Sequence, residues 1–366
     1  MNIKIERDVL LKPLNSVVGI VEKRLALPIL SNLLLKANEN KLSFTATDLE
    51  MQTSLNINTK IENDFEITIS ARKLFDITRA LPEGSVLEFQ INESRVNVKA
   101  GKSRFNLQTL PSKDYPVMKQ NTGEGVKFEL PQNQLKGLLK QVDFAMAQQD
   151  IRYYLNGLLF EIQGQKLNIV GTDGHRLSFT STKLNQSFEK QDVIIPRKTV
   201  MELIKLLNDD DEKVEVNLYE QQVTFNFNNI FLITKVIDGK FPDYTRVIPA
   251  GYENTFEINR QNLLSAMQRA SILSNEKYKG IRLVLDSNNM QLITTNSEQE
   301  EAQEDIEIPY NKEKIDIGFN VTYLIDVLVN IQFETLQFAF KDSNSSCLVT
   351  IPNNDDYKYV VMPMRI

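Results

Sequence analysis

Apolar and polar positions along the chain follow two alternating periods, one of two residues and one of about 3.6. Three segments open with strand-like alternation and continue with helical spacing of apolar residues; they are residues 3–18, 128–146 and 256–273. A polar residue or proline stands near each helix start, at Asp8, Pro131 and Asn259. With a second helix further along each segment, the predicted helix windows are residues 7–18, 71–80, 132–146, 197–207, 260–272 and 320–331.

The same pattern recurs with a period near 125 residues. Two strands joined by a polar turn end in each copy at a threonine, and these are Thr47, Thr172 and Thr295. Near the starts of the second helices stand Lys73, Lys198 and Thr322, and the copies close with residues 110–116, 237–244 and 359–365. A fixed spacing across four landmarks predicts three copies of one unit. Boundaries near Gly123 and Gly251 then give domains at 1–124, 125–252 and 253–366.

Each copy contains two predicted helices and several strands, with runs of strands that no crossover helix interrupts. Strands joined by tight turns favour antiparallel sheets, and the helices are expected to pack on one face of them. The expected fold class is therefore α+β, in three repeated domains. Within each copy the order strand, helix, strands occurs twice, which indicates internal pseudo-twofold symmetry.

The composition is that of a soluble globular protein, with 42% hydrophobic and 25% charged residues in a chain of 366. Cys347 is the only cysteine and His175 the only histidine, so an intramolecular disulfide and a Cys/His zinc cluster are excluded. The start of the chain lacks the apolar core of a signal peptide, and no apolar stretch reaches membrane-spanning length. We expect a cytoplasmic protein without membrane contact, metal or cofactor.

The net charge of −6 alone argues against a nucleic-acid partner. The predicted helix windows, however, carry twelve basic and five acidic side chains, a net +7 that leaves −13 for the strands and loops. One interpretation is a solvated surface, because Lys and Arg are good helix formers. The other is a lining for a polyanion that contacts phosphates without reading bases, since no base-reading motif is present.

Specific motifs are found at residues 149–161 (QDIRYYLNGLLFE), 172–177 (TDGHRL), 238–247 (DGKFPDYTRV), 273–283 (LSNEKYKGIRL), 317–328 (IGFNVTYLIDVL) and 359–366 (YVVMPMRI). In these motifs, and over essentially its whole length, the chain resembles the bacterial sliding clamp family, the beta subunits of DNA polymerase III. The resemblance implies a non-enzymatic processivity factor, in which a head-to-tail homodimer forms a six-domain ring around double-stranded DNA without reading its sequence. It also implies four kinds of partner: the DNA polymerase III alpha subunit, the clamp loader delta subunit, and other DNA polymerases and repair proteins with the clamp-binding motif.

Three sets of contact residues are implied by the resemblance. The partner peptides would dock in a hydrophobic cleft formed by Leu155, Thr172, Gly174, His175, Arg176, Leu177, Pro242, Arg246, Val247, Asn320, Tyr323, Ser346, Val360, Met362, Pro363, Met364 and Arg365. Double-stranded DNA would be contacted by Arg24, Arg72, Arg79, Gln149, Tyr153, Tyr154, Arg197 and Lys198, with packing as the alternative for the two tyrosines. The dimer contact would use Arg95, Lys102, Arg104, Phe105 and Leu107 against Ile272, Leu273, Glu300, Glu301 and Glu304. At Asn344 the chain departs from the family pattern, which has an apolar residue there.

His175 lies beside Asp173 and Arg176 and near Ser178, so a hydrolase is one alternative for this turn. A histidine satisfied by its neighbours and a residue of the partner cleft are the others. No nucleophile elbow, metal-ligand set or phosphate loop accompanies His175, which favours the cleft. A third possibility for the whole protein is an acidic scaffold that does not bind nucleic acid.

Overall fold

The computed structural model describes residues 2–21, 27–61, 63–92 and 94–365. In that part of the chain the α-helices are α1 Arg7–Val18, α2 Ala71–Ala80, α3 Gln132–Lys140, α4 Arg197–Leu206, α5 Arg260–Ser271 and α6 Val321–Asn330. The strands of the first copy are β1 Asn2–Glu6, β2 Asn32–Asn38, β3 Lys41–Thr47, β4 Met51–Asn58, β5 Phe65–Ser70, β6 Val86–Ile91, β7 Arg95–Ala100 and β8 Ser103–Gln108.

The second copy contains β9 Val126–Pro131, β10 Gly157–Thr172, β11 Arg176–Pro196, β12 Lys213–Leu218, β13 Gln222–Phe227 and β14 Ile230–Lys235. The third contains β15 Asn254–Asn259, β16 Gly280–Asp286, β17 Asn289–Thr295, β18 Glu301–Glu307, β19 Ile315–Asn320, β20 Thr335–Phe340, β21 Cys347–Ile351 and β22 Asn354–Val361. The first and third copies share one order: a strand, a helix, four strands, a helix and three strands. In the second copy the four central strands run together as the long β10 and β11. The order of strands and helices is otherwise the same in the three copies, and the predicted α+β repeat is confirmed.

The strands form four sheets, two in each of two compact units. The first unit comprises Met1–Gln134 and Met201–Val236, and the second comprises Leu135–Val200 and Ile237–Ile366. Sheets of the first unit have the orders β5-β2-β3-β4-β14-β13-β12-β9 and β1-β6-β7-β8. Those of the second have the orders β10-β11-β22-β21-β20-β15 and β18-β17-β16-β19. Neighbouring strands run antiparallel, as the tight turns predicted.

The compact units differ from the sequence repeats because strands of adjacent copies pair. In the first unit β4 pairs with β14, with Leu55 opposite Ile230. In the second unit β11 pairs with β22, with Leu177 opposite Val360. Backbone hydrogen bonds thus continue each sheet from one copy into the next. The boundaries at 124 and 252 remain predictions about the repeat.

Five of the six predicted helix windows match the helices to within a residue at each end. The window 132–146 is wrong at its end, because α3 stops at Lys140. Beyond it the Val142 amide donates to the Leu139 carbonyl at 3.1 Å, three residues back, and a 3₁₀ turn follows over Asp143–Ala145. Of the start signals, Asn259 caps α5 through the Asn262 amide, whereas Asp8 lies inside the first turn of α1.

The core of the second unit contains two apolar clusters. One packs α5 and α6 against the sheets of the third copy, with Leu263, Phe319 and Leu324 completely buried. The other is smaller and consists of Leu159, Val170, Leu177, Ile194, Phe241, Tyr244 and Val360. This smaller cluster combines strands β10, β11 and β22 with the segment after β14, and it lies directly beneath the candidate site.

Candidate functional site

The turn between β10 and β11 is held in one conformation by its own side chains. The Thr172 hydroxyl donates to the Arg176 carbonyl at 2.6 Å, and Asp173 Oδ1 accepts from the His175 and Arg176 amides at 2.9 and 3.0 Å. Gly174 has a φ of +88°, and a Cβ there would lie 2.8 Å from Arg152 Nη1. The positive φ therefore favours glycine, whereas the end of the Arg152 side chain could move away from a Cβ.

The first copy contains the same turn between β3 and β4. The Thr47 hydroxyl donates to the Met51 carbonyl at 2.8 Å, and Asp48 Oδ1 accepts from the Met51 amide at 2.8 Å. The Thr-Asp landmark of the sequence is thus a threonine and aspartate turn in two copies. At the position that corresponds to Arg176, the first copy has the buried Met51. Of these two turns, only the one in the second copy therefore carries a guanidinium group at this position.

Arg176 connects this turn to α6 and to the segment after α3. Its side chain is 10% exposed; Nη1 lies 2.5 Å from Asp326 Oδ2, and Nη2 donates to the Phe144 carbonyl at 2.6 Å. The guanidinium also lies over the Tyr323 ring, 4.4 Å from its centroid. Burial alone lowers the pKa of Arg176, but the Tyr359 phenol and the Asp326 carboxylate raise it above its ordinary value.

We expect Arg176→Lys to lower the free energy of unfolding by about 2–4 kcal/mol, because lysine cannot reproduce the guanidinium fork and leaves buried acceptors unpaired. Urea denaturation measures the change. Arg246→Lys is the matched control: Arg246 pairs with Asp243 but is 85% exposed, so it should change stability by less than about 0.5 kcal/mol. Equal effects of the two variants would contradict this role of Arg176.

Beside this turn the second unit contains a cavity of about 220 Å³. It is lined by Arg152, Tyr154, Leu155, Thr172, Gly174, Arg176, Leu177, Pro242, Tyr244, Val247, Val360 and Met362. Leu155, Leu177 and Val360 are buried and form an apolar floor, whereas Met362 is 38% exposed at the mouth. The Met362 amide donates to the His175 carbonyl at 2.9 Å, which fixes the end of the chain to the turn. An apolar floor with guanidinium groups at its edge is suited to binding an apolar group of a ligand.

The structure brings nine residues of the predicted cleft together in this lining. The predicted residues outside it are His175, Arg246, Asn320, Tyr323, Ser346, Pro363, Met364 and Arg365. Three lining residues were not predicted for the cleft: Arg152 and Tyr244 had no assigned role, and Tyr154 was assigned to DNA. Tyr244 lies in the closing segment of the second copy, and this landmark was the available signal for it.

Residues outside the lining have other partners. Asn320 accepts from the Thr322 amide at 2.9 Å and so caps α6, and Tyr323 packs on Arg176. The Met364 amide donates to the Gly318 carbonyl at 2.9 Å. The hydroxyl of Ser346 lies 3.4 Å from that of Tyr252. Pro363 is half-buried, Arg365 is exposed, and Asn344 lies exposed between β20 and β21.

Family models cover nearly the whole chain. The N-terminal domain of the DNA polymerase III beta subunit matches residues 1–119, the central domain 129–243 and the C-terminal domain 245–365. A beta sliding clamp of Pseudomonas aeruginosa is 44% identical over 100% of both chains. The crystal structure of that organism's DNA polymerase III beta subunit superimposes with a TM-score of 0.96 over 100% of both chains at 44% identity.

The chain belongs to the beta sliding clamp family. A further crystal structure, of a Pseudomonas aeruginosa sliding clamp bound to griselimycin, is 44% identical with a TM-score of 0.95 over 100% of both chains. Sliding clamps are replication proteins that bind DNA and polymerases, and they are not enzymes.

The hydrolase alternative agrees poorly with the structure as well, since Ser178 is buried and donates to the Gln141 carbonyl at 2.6 Å. Among the described residues no group of three or more His, Cys, Asp or Glu could hold a metal ion.

Residues predicted to contact DNA are placed in different environments. Arg72, Arg79, Gln149 and Tyr153 are exposed, whereas Tyr154, Arg197 and Lys198 are half-buried. Arg24 lies outside the described residues. Tyr153 and Tyr154 pack edge to face with their ring centroids 5.9 Å apart, so the pair has a packing role whether or not it contacts DNA.

The helices of the structure keep the charge segregation that the sequence predicts. The helices of the described part carry the same twelve basic residues and four acidic ones, a net +8, because Asp143 lies outside α3. Some of these basic groups have structural partners. Arg7 donates to the Thr78 and Arg79 carbonyls near the end of α2, and Arg260 donates to the Leu328 carbonyl of α6 at 2.6 Å. Arginines at these helix ends stabilise the negative end of the helix dipole, so they are only partly available to DNA.

The residues predicted for the dimer contact lie on β7, on β8 and in the turn between them, at the end of α5, and at the start of the edge strand β18. β8 is the last strand of β1-β6-β7-β8, and β18 begins β18-β17-β16-β19. Arg95, Lys102, Arg104, Glu300 and Glu301 are exposed, Ile272 is 76% exposed, Phe105 and Leu273 are half-buried, and Leu107 is buried. Glu304 accepts from Arg269 of its own chain at 2.6 and 2.8 Å.

Among the helices of the described part, none has both the length and the apolar composition that a membrane span requires.

Proposed function

We propose that this chain is a DNA polymerase processivity factor: two copies close a ring around double-stranded DNA, and the cavity beside the Thr172–Arg176 turn tethers partner proteins. The observation that carries the proposal is the apolar cavity of about 220 Å³, at the position where the resemblance expected the partner cleft. The proposed partners are the DNA polymerase III alpha subunit, the clamp loader delta subunit, and other polymerases and repair proteins with the clamp-binding motif. A cytoplasmic location and the three domains 1–124, 125–252 and 253–366 belong to the same proposal.

The occupant of the cavity is an apolar anchor of a partner peptide. Leu155, Leu177 and Val360 offer a floor with little polar surface, and Met362 is unbranched and can adapt to different anchors. Apolar anchors in desolvated pockets supply most of the free energy of small interfaces. Since a relative binds griselimycin, we propose that this chain also binds griselimycin, in the same cavity.

The ring closes where the edge strand β8 of one chain meets the edge strand β18 of the other. Arg95, Lys102 and Arg104 on the β7–β8 side are basic and exposed, and Glu300 and Glu301 at the other edge are acidic and exposed. Complementary charges favour this head-to-tail pairing over contacts between like edges. Two such contacts close a ring of two chains.

DNA is held because the ring encloses it. A chain with a net charge of −6 is not expected to bind phosphates strongly over its whole surface. The excess of basic groups on the helices supplies a weak attraction without sequence preference. Weak contacts allow the ring to slide, whereas the closed ring prevents lateral dissociation.

The decisive experiment loads the protein on nicked circular DNA and then linearises the DNA. We expect the protein to stay on the circle through gel filtration and to be lost from the linear ends. Equal retention on both forms would reject enclosure, and absence from both would support the scaffold alternative.

His175→Ala is expected to weaken binding of a partner peptide by less than about threefold and to leave the dimer intact. The His175 side chain is exposed and outside the cavity lining, and its backbone carbonyl, which the substitution retains, is the group that binds Met362. Fluorescence anisotropy with a labelled peptide that carries Leu and Phe anchors measures the affinity. A loss above about tenfold would place the imidazole in contact with the peptide.

A further inference from the structure

One wall of the cavity is an irregular segment that a buried tyrosine helps to attach to the sheet. Pro242, Tyr244 and Val247 of this segment line the cavity. Tyr244 is 7% exposed and its ring stacks on Phe179 of β11 with the centroids 5.8 Å apart. The Val247 and Ile248 amides donate to the Tyr244 carbonyl at 3.1 and 3.2 Å, so the position of Tyr244 determines that of the residues after it.

The hydroxyl of Tyr244 donates to the carboxylate of Glu161 on β10. Glu161 does not line the cavity, and its side chain is 16% exposed. The same carboxylate accepts from Asn168 Nδ2 at 3.1 Å and lies 3.3 Å from Lys190 Nζ. Burial raises the pKa of Glu161, but the hydrogen bonds from Tyr244, Asn168 and Lys190 outweigh it and lower the pKa below its ordinary value.

A reversal of the chain within β10 makes this cluster possible. The pairing of β10 with β11 shifts register on both sides of Gly164, between Glu161 and Asn168. Gly164 has a φ of +60°, and in the first copy the corresponding segment is the tight turn between the paired strands β2 and β3. Glu161 and Asn168 therefore lie on opposite sides of a turn with their side chains in contact, and both reach the Tyr244 hydroxyl at hydrogen-bond distance.

Corresponding positions of the other copies do not have this chemistry. With the repeat spacings of 125 and 123 residues, Glu161 corresponds to Lys36 in the first copy and to Val284 in the third. Lys36 pairs with Glu66 on the neighbouring strand. The carboxylate therefore belongs to the copy whose closing segment forms the cavity wall, and a role in the common fold does not explain it.

We propose that Glu161 is a positioning residue for partner binding: through the Tyr244 hydroxyl it holds the wall formed by Pro242, Tyr244 and Val247 at the distance from the floor that an apolar anchor requires. The inference rests on the proposed function of the cavity. An ionised acceptor makes a stronger hydrogen bond than a neutral one, so the wall is preorganised before the ligand arrives. Without Glu161 the segment samples other positions, and binding must order it first.

The test measures the affinity of the full-length protein for griselimycin by titration calorimetry. We expect Glu161→Ala and Tyr244→Phe each to weaken binding about fivefold to tenfold, and the double variant to be no weaker than either single variant, because both remove one shared interaction. Glu161→Gln should recover binding to within about twofold, since its amide oxygen can still accept from the Tyr244 hydroxyl. Should Glu161→Ala fail to fold, Tyr244→Phe and Glu161→Gln carry the comparison.

Glu215 on β12 provides the matched control. Its carboxylate also pairs with a lysine and a neighbouring asparagine, Lys127 at 2.6 Å and Asn217 at 3.2 Å, but with no tyrosine of the cavity. Glu215→Ala should change the affinity less than about twofold. Hydrogen exchange gives a second readout without ligand: the amides of Val247 and Ile248 should exchange faster in Glu161→Ala than in Glu215→Ala.

The outcomes separate the two proposals. If the unaltered chain binds griselimycin but Glu161→Ala binds equally well, or if the losses of the two single variants add, the positioning role is wrong and the cavity function stands. If the unaltered chain does not bind griselimycin or a peptide with Leu and Phe anchors, the cavity function is wrong and the positioning role is overturned with it. Faster exchange at Val247 together with unchanged affinity also rejects the positioning role, because the wall would then move without consequence for the ligand.

Discussion

A protein carrying Ile272→Asp is expected to behave as a single chain in solution and to be lost from closed circular DNA. Ile272 follows α5 and is 76% exposed in the chain, so the substitution should not affect its folding. In the proposed ring this side chain is buried against Phe105 of the other chain, and a carboxylate there would be desolvated without a partner. A loss of about 2 kcal/mol at a central contact raises a dissociation constant about 30-fold. A ring has two such contacts, so the dissociation constant of the ring is expected to rise about a thousandfold.

Analytical ultracentrifugation across a range of concentrations measures the association, and retention on nicked circular DNA measures its consequence. Val117→Asp is the matched control, because Val117 is also an exposed apolar residue, at 52%, and lies outside the proposed contact. The control should form dimers and stay on circles. If Ile272→Asp dimerises normally, the ring closes through another surface. If it remains monomeric and is still retained on circles, enclosure is not what holds DNA.

The regular elements could be predicted from the sequence because local rules determine them. Apolar residues at helical spacing, with start signals such as Asn259, located five helices to within a residue at each end. The end of α3 was missed because apolar residues continue past Lys140. Val142 and Ala145 are buried, but they belong to 3₁₀ turns and not to the α-helix. Periodicity reports which residues are buried and does not by itself distinguish an α-helical turn from a 3₁₀ turn.

Pairing between copies could not be predicted from the repeat. The pairs of β4 with β14 and β11 with β22 join strands more than 170 residues apart in the chain, and no local pattern specifies such partners. The repeat therefore predicted what each copy contains, whereas the compact units depend on which edges meet. The same limit applies to charge: the helices are basic as expected, but the role of Arg260 at the end of α6 requires a contact that the sequence does not display.

The candidate site was predictable where one motif carries it. Residues 172–177 identify the turn, and the Thr172 and Asp173 hydrogen bonds follow from their side chains alone. Tyr244 and Glu161 were missed because their roles arise from a contact across 83 residues of chain. Tyr154 was assigned to DNA by the resemblance, with packing as the alternative, and no local pattern indicated that it lines the cavity.

Met362→Asp is expected to abolish binding of griselimycin and of partner peptides, with a loss of at least about 100-fold, while the ring continues to form. Met362 lies at the mouth of the cavity and is 38% exposed, so a carboxylate there remains hydrated in the free protein. An apolar anchor that enters the cavity would remove that hydration without offering a partner, at a cost of several kcal/mol.

Titration calorimetry and retention on circular DNA separate these two properties of the variant. Leu110→Asp is the matched control, because Leu110 is also 38% exposed but lies far along the chain from the cavity residues and outside their lining. The control should bind griselimycin with less than about a twofold change. Full affinity in Met362→Asp would locate the ligand elsewhere. Loss of the dimer in the same variant would show that the end of the chain supports the fold rather than the cavity. The backbone amide of Met362 donates to the His175 carbonyl, and the substitution retains this hydrogen bond. We therefore expect ligand binding to be lost and the ring to persist.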